Sequence, residues 1–337
     1  MNRSIIGVDL GSYNTKIYSS ESKKIVFDQP TCVAVDPSTM QVKEIGYLAD
    51  KIQGKTPYNF DVIYPIRNGI IYDESLTYQF LLKALSSIRL DKTFKSYTII
   101  FSCPSECSKV NENVLISLGK SLQAKEIYLE PQCKLAALSS GENVFSPNAN
   151  LICNIGAGYT DIAIISMGEI VSSTTSMIAS TTFDEAIRRY MIQKQHLSIG
   201  IKTAEYIKMK IGDLSSVSEN QLLDVKGRDT ITSLPTSMVI SSSEIKKVLS
   251  SLIDFLCLKI TDVISSVDSE LASDLIKNGL ILTGGGALLG GLKDYFFKNL
   301  SLPVRIAKQC EDAVINGMKV LIDNIHFEDE KSKRRKA

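Results

Sequence analysis

Two segments of the chain share a pattern of residues that suits phosphate binding. Residues 6–16 read IGVDLGSYNTK and residues 152–161 read ICNIGAGYTD, so Gly11 aligns with Gly156. Each segment predicts an apolar strand, a tight glycine turn and a second strand. Glycine lets backbone N–H groups approach an anion without a Cβ in the way. The repeat therefore predicts two half-sites that face each other across one phosphate chain.

The two copies differ at the residue that ends the first strand, which is Asp9 in one and Asn154 in the other. A carboxylate beside phosphates repels them unless a divalent cation lies between, so Asp9 predicts Mg²⁺ held largely through water. Lys16 either contacts a phosphate oxygen or is a solvent-facing strand residue. The residues predicted to line the two phosphate turns are Gly11, Ser12, Tyr13, Asn14, Gly156, Ala157 and Gly158.

A third glycine element follows a predicted strand at residues 279–282 and consists of Gly284, Gly285, Gly286 and Ala287. We expect it to open a helix, whose N–H groups and dipole favour a nucleotide. Glu205 and Lys208 lie three positions apart on a predicted helix and so share one face. Alone they would form a surface ion pair, but beside the glycine elements they could grip a ribose.

The elements that position these residues alternate between strands and helices in both halves, which predicts two α/β domains of like topology. The segment 47–65 is predicted to be turn-rich.

The composition, with 44% hydrophobic residues, 22% charged residues and a net charge of +1, excludes wholesale disorder. The same net charge excludes a protein that binds nucleic acid through its overall charge. Seven cysteines without a Cys-x-x-Cys pair, and only two histidines, argue against a zinc site. Free cysteines fit a reducing cytoplasm. The N-terminus leads straight into the first strand, so no signal peptide is expected.

The order of these motifs resembles the actin/Hsp70/sugar-kinase ATPase superfamily and, within it, the MreB-type bacterial actins. The resemblance spans nearly the whole chain. Residues 134–138 and the basic C-terminus look most like MreB paralogues of wall-less, spiroplasma-like bacteria. The stretches that carry the resemblance are GVDLGS at 7–12, IGIKTAEYIK at 199–208, VKGRD at 225–229 and LTGGGALL at 282–289.

This resemblance implies an actin-like α/β fold, with two RNase H-like domains, a small inserted subdomain in each, and a nucleotide in the central cleft. The expected segments are 1–30, 66–142 and 310–330 for subdomain IA, 31–65 for IB, 143–180 and 241–309 for IIA, 181–240 for IIB, and 331–337 for a basic disordered tail.

The same resemblance implies ATP or ADP with Mg²⁺ as cofactors and nucleotide-dependent polymerisation into paired protofilaments. Expected partners are other copies of the chain, paralogous bacterial actins and an anionic membrane surface, with no nucleic acid. The expected location is cytoplasmic, on the inner face of the cell membrane, with a role in cell shape, helicity or motility. By position, Glu205 and Lys208 would hold the ribose and adenine side, Gly284–Gly286 the adenosine, and Glu130 the attacking water.

One departure from the family pattern concerns hydrolysis. The second phosphate turn of MreB proteins resembles Asp-Ile-Gly-Gly-Gly-Thr-Thr-Glu, whereas this chain has Asn154 and Tyr159 at the first Asp and the first Thr. An amide cannot accept a proton from water, and a phenol at position 159 is bulky enough to exclude the water that Glu130 would order. Loss of one such group commonly lowers the rate by ~10²–10⁴-fold. We therefore expect nucleotide binding with slow or absent hydrolysis.

Two features predict membrane attachment. Phe94 lies between two lysines on a predicted loop, where it either inserts into the bilayer or packs under its own loop. The tail residues Lys333, Arg334, Arg335 and Lys336 either remain solvated or bind anionic lipid. Together they would form the two-signal anchor that stable peripheral binding needs.

Two rival functions are compatible with the motifs. An actin-like pseudo-ATPase that regulates or caps partner filaments would account for Asn154 and Tyr159. A small-molecule kinase of the same superfamily would need a base carboxylate for the acceptor hydroxyl, and no such motif stands out.

Overall fold

The computed structural model describes residues 4–53, 60–88, 97–215 and 220–334, with the side chains of residues 325–334 left undescribed. The chain divides into two compact units, of which unit 1 is Met1–Val144 with Asp312–Ala337 and unit 2 is Phe145–Glu311.

Unit 1 is built on a five-stranded sheet with the strand order β10-β9-β1-β2-β3. Its strands are β1 (Ser4–Leu10), β2 (Asn14–Ser19), β3 (Lys24–Pro30), β4 (Val33–Val35), β5 (Val42–Ile45), β6 (Asp61–Ile63), β7 (Ile66–Arg67), β8 (Ile70–Ile71), β9 (Tyr97–Cys103) and β10 (Glu126–Pro131). Its helices are α1 (Gly46–Ile52), α2 (Glu74–Ser87), α3 (Lys109–Ser121), α4 (Gln132–Ser139) and a C-terminal helix (Ala313–Arg334).

Unit 2 is built on a five-stranded sheet with the order β13-β12-β11-β17-β18. Its strands are β11 (Asn150–Ile155), β12 (Thr160–Ser166), β13 (Glu169–Ser176), β14 (Leu197–Ser198), β15 (Leu222–Asp229), β16 (Pro235–Ser241), β17 (Leu280–Thr283) and β18 (Val304–Ile306). Its helices are α5 (Ser180–Gln195), α6 (Ile201–Ile211), α7 (Ser242–Ser265), α8 (Ser269–Asn278) and α9 (Leu292–Leu300).

The two sheets have the same strand order and the same strand directions. In each sheet, the first three strands in the chain are antiparallel, and the last two run parallel to the first. In unit 1, β9 and β10 run parallel to β1, and in unit 2, β17 and β18 run parallel to β11. Strands β11 and β12 are buried along their whole length, as expected of a sheet that is covered on both faces. The prediction of two α/β domains of like topology is confirmed.

The unit 1 sheet has a core on each face because successive strand residues point to opposite sides. One core contains Ile6 and Val8 with residues of α2 and α3, and the other contains Ile5 with residues of α4 and the C-terminal helix. Gly7 allows the C-terminal helix to pack closely, since a Cβ at this position would collide with the Met318 side chain.

Each unit also carries a small three-stranded sheet. In unit 1, β4, β5 and β6 form one beside α1, which lies in the segment predicted to be turn-rich. In unit 2, the hairpin β15–β16 pairs with β14. In the described part of the chain, no helix combines the length and apolar character that crossing a bilayer requires.

Candidate functional site

The two glycine turns close with the same hydrogen bond. Gly11 N–H donates to the Asn14 carbonyl at 3.1 Å, and Gly156 N–H donates to the Tyr159 carbonyl at 3.0 Å. A Cβ would lie 2.5 Å from that carbonyl oxygen at Gly11 and 2.9 Å from it at Gly156. Both turns therefore need glycine for the same steric reason, and the repeat seen in the sequence is a repeat of backbone geometry.

Asp9 lies at the end of β1, where its carboxylate is held by two neighbours. Its Oδ1 accepts hydrogen bonds from Ser102 Oγ at 2.7 Å and from Gln132 Nε2 at 3.2 Å. Ser102 lies near the end of β9, and Gln132 begins α4 directly after β10, so three parallel strands bring these residues together. Burial raises the pKa of Asp9, while the Ser102 hydrogen bond and the charge of Lys16 act to lower it.

The donor set around Asp9 fits Mg²⁺ held through water. Mg²⁺ usually keeps several waters and takes only one or two carboxylates besides the phosphates of its ligand. Among the described residues, no cluster of three or more His, Cys, Asp or Glu side chains could hold a metal by itself. A single carboxylate fixed through one oxygen therefore suits a cation that arrives with a nucleotide.

Lys16 is the direct cross-strand partner of Asp9. The residue is only 8% exposed, so the interpretation of Lys16 as a solvent-facing strand residue does not hold. Its Nζ forms an ion pair with Asp312, next to the start of the C-terminal helix. Burial lowers the pKa of Lys16, but the carboxylates of Asp312, Asp28 and Asp9 together outweigh burial, and the net shift of the pKa is upward.

The remaining residues of the first turn contact neighbouring segments of unit 1. Ser12 Oγ accepts a hydrogen bond from the Gly69 N–H at 2.9 Å. The Tyr13 carbonyl accepts one from the Thr31 N–H at 2.7 Å. These bonds fix the turn between the β7–β8 hairpin and the end of β3.

Glu130 lies on the same edge of the unit 1 sheet as Asp9. It is paired in register with Ser102, whose hydroxyl contacts Asp9. Its Oε2 lies 3.8 Å from Lys134 Nζ, one helical turn further on. The side chains of Glu130 and Lys134 are each partly exposed, which leaves this carboxylate within reach of solvent.

Asn154 occupies in unit 2 the position that Asp9 occupies in unit 1. Its Oδ1 accepts a hydrogen bond from Thr283 Oγ1 at 3.1 Å. Its cross-strand partner is Asp161, a fully buried residue whose Oδ1 accepts a hydrogen bond from Thr175 at 3.0 Å. Tyr159, at the end of the turn, is 5% exposed, so its ring is packed inside the protein.

The third glycine element lies directly against the second turn. Gly284 has φ +81°, and a Cβ there would lie 2.9 Å from Asn154 Oδ1 and would collide with the Ile155 carbonyl. The segment then forms a 3₁₀ turn at Gly285–Leu288, and α9 begins only at Leu292. The element therefore opens a short helix, as predicted, although this helix is 3₁₀ and α9 follows it. Gly285, Gly286 and Ala287 all lie in that turn.

Glu205 and Lys208 lie on α6, as predicted, but Lys208 has a buried partner that the sequence did not indicate. Its Nζ lies 2.8 Å from Asp184 Oδ1 and donates hydrogen bonds to Asp184 Oδ2 at 3.0 Å and to the Ser180 carbonyl at 3.3 Å. Burial raises the pKa of Asp184 to about 6, although Lys208 lowers it and Glu205 raises it further.

Unit 2 thus brings its predicted elements together. The start of α5 is bonded to the second turn, since Ser180 N–H donates to the Gly156 carbonyl at 3.1 Å and Thr181 N–H to the Ala157 carbonyl at 2.9 Å. The loop after α6 joins the segment after the third glycine element through the Leu214 N–H, which donates to the Gly290 carbonyl at 2.8 Å.

The predicted membrane residues are only partly covered by the structure. Phe94, Arg335 and Lys336 lie outside the described residues. Lys333 and Arg334 belong to the C-terminal helix, which extends through the first four residues of the expected disordered tail. The side chains of these two residues are not described.

Two α/β units with matched sheets and matched glycine turns define an actin-like protein. The model of the MreB/Mbl protein family matches residues 3–330. The chain therefore belongs to the MreB/Mbl family.

Relatives of known name or structure agree with this assignment. The chain is 33% identical to the cell shape-determining protein Mbl of Bacillus subtilis, over 95% of this chain and 96% of that protein. The crystal structure of MreB5 of Spiroplasma citri bound to AMPPNP has 31% identity and a TM-score of 0.92, covering 98% of this chain and 99% of the other. The ADP-bound crystal structure of the same protein has 32% identity and a TM-score of 0.91, with the same coverage.

Proposed function

We propose that this chain is an actin-like cytoskeletal protein that polymerises in a nucleotide-dependent manner and controls cell shape. The observation that carries the proposal is the pair of glycine turns, at Gly11 and Gly156, closed by the same hydrogen bond at the same place in two matched sheets. Family membership and the cell-shape role named for the Bacillus subtilis relative support it.

The ligand is an adenine nucleotide, since the solved relatives hold AMPPNP and ADP. In unit 1, Asp9 takes the Mg²⁺ side, and the turn Gly11–Asn14 contacts phosphate. In unit 2, the turn Gly156–Gly158 contacts phosphate, and Gly284–Ala287 with Glu205 forms the adenosine side. Lys16 and Lys208 are assigned to the same site from the sequence, although each already has a carboxylate partner.

ATP hydrolysis by this chain is slow or absent. The Asn154 side-chain oxygen accepts the Thr283 hydroxyl, and an amide at this strand end cannot act as a general base. The residue at the opposing strand position is Asp161, whose carboxylate is fully buried. Glu130, whose side chain is partly exposed, is retained to order water, so the expected defect is in rate, by ~10²–10⁴-fold relative to a complete site.

The polymer is a homopolymer of paired protofilaments, with paralogous bacterial actins as further partners. It lies in the cytoplasm on the inner face of the membrane. Phe94 and the basic residues Lys333–Lys336 attach it to anionic lipid, to which each basic residue contributes about 1 kcal/mol near the surface. Its role is in cell shape, or in helicity and motility.

A second candidate is a pseudo-ATPase that caps the filaments of a partner actin. Asn154 and Tyr159 favour it, because a capping protein needs to bind nucleotide but not to turn it over. Such a protein would bind ATP and would fail to form filaments alone.

Sedimentation of the full chain with ATP, ADP and AMPPNP, together with measurement of phosphate release, tests these proposals. Pelleting with ATP or AMPPNP and little phosphate release is the expected result. Failure to pellet with any nucleotide would contradict the filament role and favour the capping role. Phosphate release at the rate of an ordinary MreB protein would contradict slow hydrolysis.

A further inference from the structure

The buried pair of Asp184 and Lys208 joins two helices of unit 2. Asp184 is 5% exposed and lies on α5, and Lys208 lies on α6. The ammonium group contacts both carboxylate oxygens and also donates to the Ser180 carbonyl. A lysine has three hydrogens to donate, so this arrangement engages most of its capacity within the protein.

Each helix of the pair leads to a different part of the candidate nucleotide site. The first residues of α5, Ser180 and Thr181, donate backbone hydrogen bonds to the carbonyls of Gly156 and Ala157 in the second phosphate turn. Thr181 Oγ1 adds a hydrogen bond to the Ala157 carbonyl at 2.8 Å. Helix α6 carries Glu205, on the adenosine side. The pair therefore links the phosphate turn to the adenosine helix through side chains.

The energetics of the pair point to geometry more than to stability. The pKa of Asp184 is raised by burial despite its contact with Lys208, so desolvation outweighs the attraction between the two charges. A buried ion pair of this kind is weak evidence for stability, and well-packed apolar residues often replace such pairs without loss. What an apolar contact would lack is the fixed direction of the hydrogen bonds.

We propose that Asp184 is a positioning residue, which holds Lys208 so that the turn Gly156–Gly158 and helix α6 keep the spacing needed to bind phosphate and adenosine at once. This rests on the nucleotide binding proposed above. Two weak contacts to one ligand reinforce each other only when the protein presents them at the spacing of that ligand. Loss of the pair is then expected to weaken the binding of the intact nucleotide far more than the binding of either of its fragments.

Binding to the full chain tests this, with a fluorescent ATP analogue displaced by ATP, adenosine or inorganic tripolyphosphate. In Asp184→Asn, we expect affinity for ATP to fall about 10- to 100-fold, the range of a typical coupling between sites. Affinity for adenosine and for tripolyphosphate should stay within about threefold of the wild type, because each contacts only one of the linked elements.

Glu185→Gln is the matched control. Glu185 is the next residue of the same helix, and its ion pair with Arg188, at 2.8 Å, is exposed to solvent. This variant removes one carboxylate without touching the link, so its ATP affinity should equal that of the wild type. The charge swap Asp184→Lys with Lys208→Asp should recover ATP affinity relative to either single variant, because it rebuilds the link.

The outcomes separate this inference from the proposed function. A wild type that binds no ATP defeats nucleotide binding itself. The positioning role alone is overturned if the wild type binds ATP and Asp184→Asn binds it with the same affinity. It is also overturned if Asp184→Asn loses affinity equally for all three ligands. If Asp184→Asn does not melt cooperatively, Asp184→Ser takes its place with the same expected selectivity.

Discussion

Asn154 lies directly opposite Asp161 across the β11–β12 ladder, at the two positions that Asp9 and Lys16 occupy across β1–β2. The second hairpin thus retains a carboxylate, but on the neighbouring strand and fully buried. The single substitution Asn154→Asp would place two carboxylates opposite each other, which is destabilising in a sheet.

The first prediction concerns hydrolysis. Asn154→Asp combined with Tyr159→Thr should raise phosphate release by about tenfold or more, since one positioned group typically contributes ~10²–10⁴-fold. Asn154→Asp alone should lower Tm, and adding Asp161→Asn should restore much of it by removing the opposed charge. An unchanged rate in the double variant at full nucleotide occupancy would show that other residues limit turnover.

The second prediction concerns the support of Asp9. Gln132→Leu and Ser102→Ala each remove one of the two donors to Asp9 Oδ1. Because such outer partners orient a metal-side ligand, each change should weaken Mg²⁺-dependent nucleotide binding by about 10-fold or more. A Mg²⁺ titration of nucleotide binding measures this. Ser87→Ala is the control, since Ser87 bonds only to its own helix among the bonds described; an equal loss there would contradict a specific role.

The third prediction concerns the Lys16–Asp312 pair. Lys16→Met should lower the free energy of unfolding by about 2 kcal/mol, less than for a fully buried pair because the Asp312 side chain is 31% exposed. Urea unfolding measures this, and the double variant Lys16→Met with Asp312→Leu should recover part of the loss.

The same pair should show a definite pH dependence. The folded state raises the pKa of Lys16 above its ordinary 10.5, so it contributes stability that is complete below pH 10.5. That contribution should disappear as the pH rises through the higher folded value. Wild type and Lys16→Met should therefore differ in stability at pH 8 and converge at strongly alkaline pH. A constant difference at all pH values would contradict the ionic origin.

The fourth prediction concerns membrane attachment. Removing residues 331–337 should reduce flotation with anionic liposomes and have less effect with neutral ones, because the basic residues act by charge. Phe94→Ser should reduce flotation with both, because an inserted ring acts by apolar burial. Leu82→Ser, at an exposed apolar residue of α2, is the control. Flotation that neither change reduces would rule out both anchors.

The sequence predicted the parts of the site that local chemistry dictates. Gly11 and Gly156 could be placed in turns because only glycine tolerates the close carbonyl that each turn requires. The repeated topology followed from the alternation of strands and helices in both halves. These features need no knowledge of which distant residues meet.

The partners of Asp9 and Lys208 could not be predicted in the same way. Gln132 reaches Asp9 only because β10 and β1 both flank β9 in the sheet. Asp184 and its neighbour Glu185 are both acidic residues of α5, and the helix pattern around them did not show that only Asp184 is buried. The 3₁₀ form of the helix after Gly284 could not be predicted either, because a run of glycines does not specify which kind of helix it opens.

Because the C-terminal helix belongs to unit 1, the two units become complete at different points in protein synthesis. Unit 2 is one continuous stretch, so all of its residues have left the ribosome once residue 311 has emerged. One face of the unit 1 sheet, around Ile5, Tyr18 and Ile100, is covered only by Leu135 of α4 until Met318 and Ile322 are made. The unit that is translated first is therefore the one that completes its folding last, and a nascent chain that stalls before this helix presents an incompletely covered apolar sheet face to chaperones.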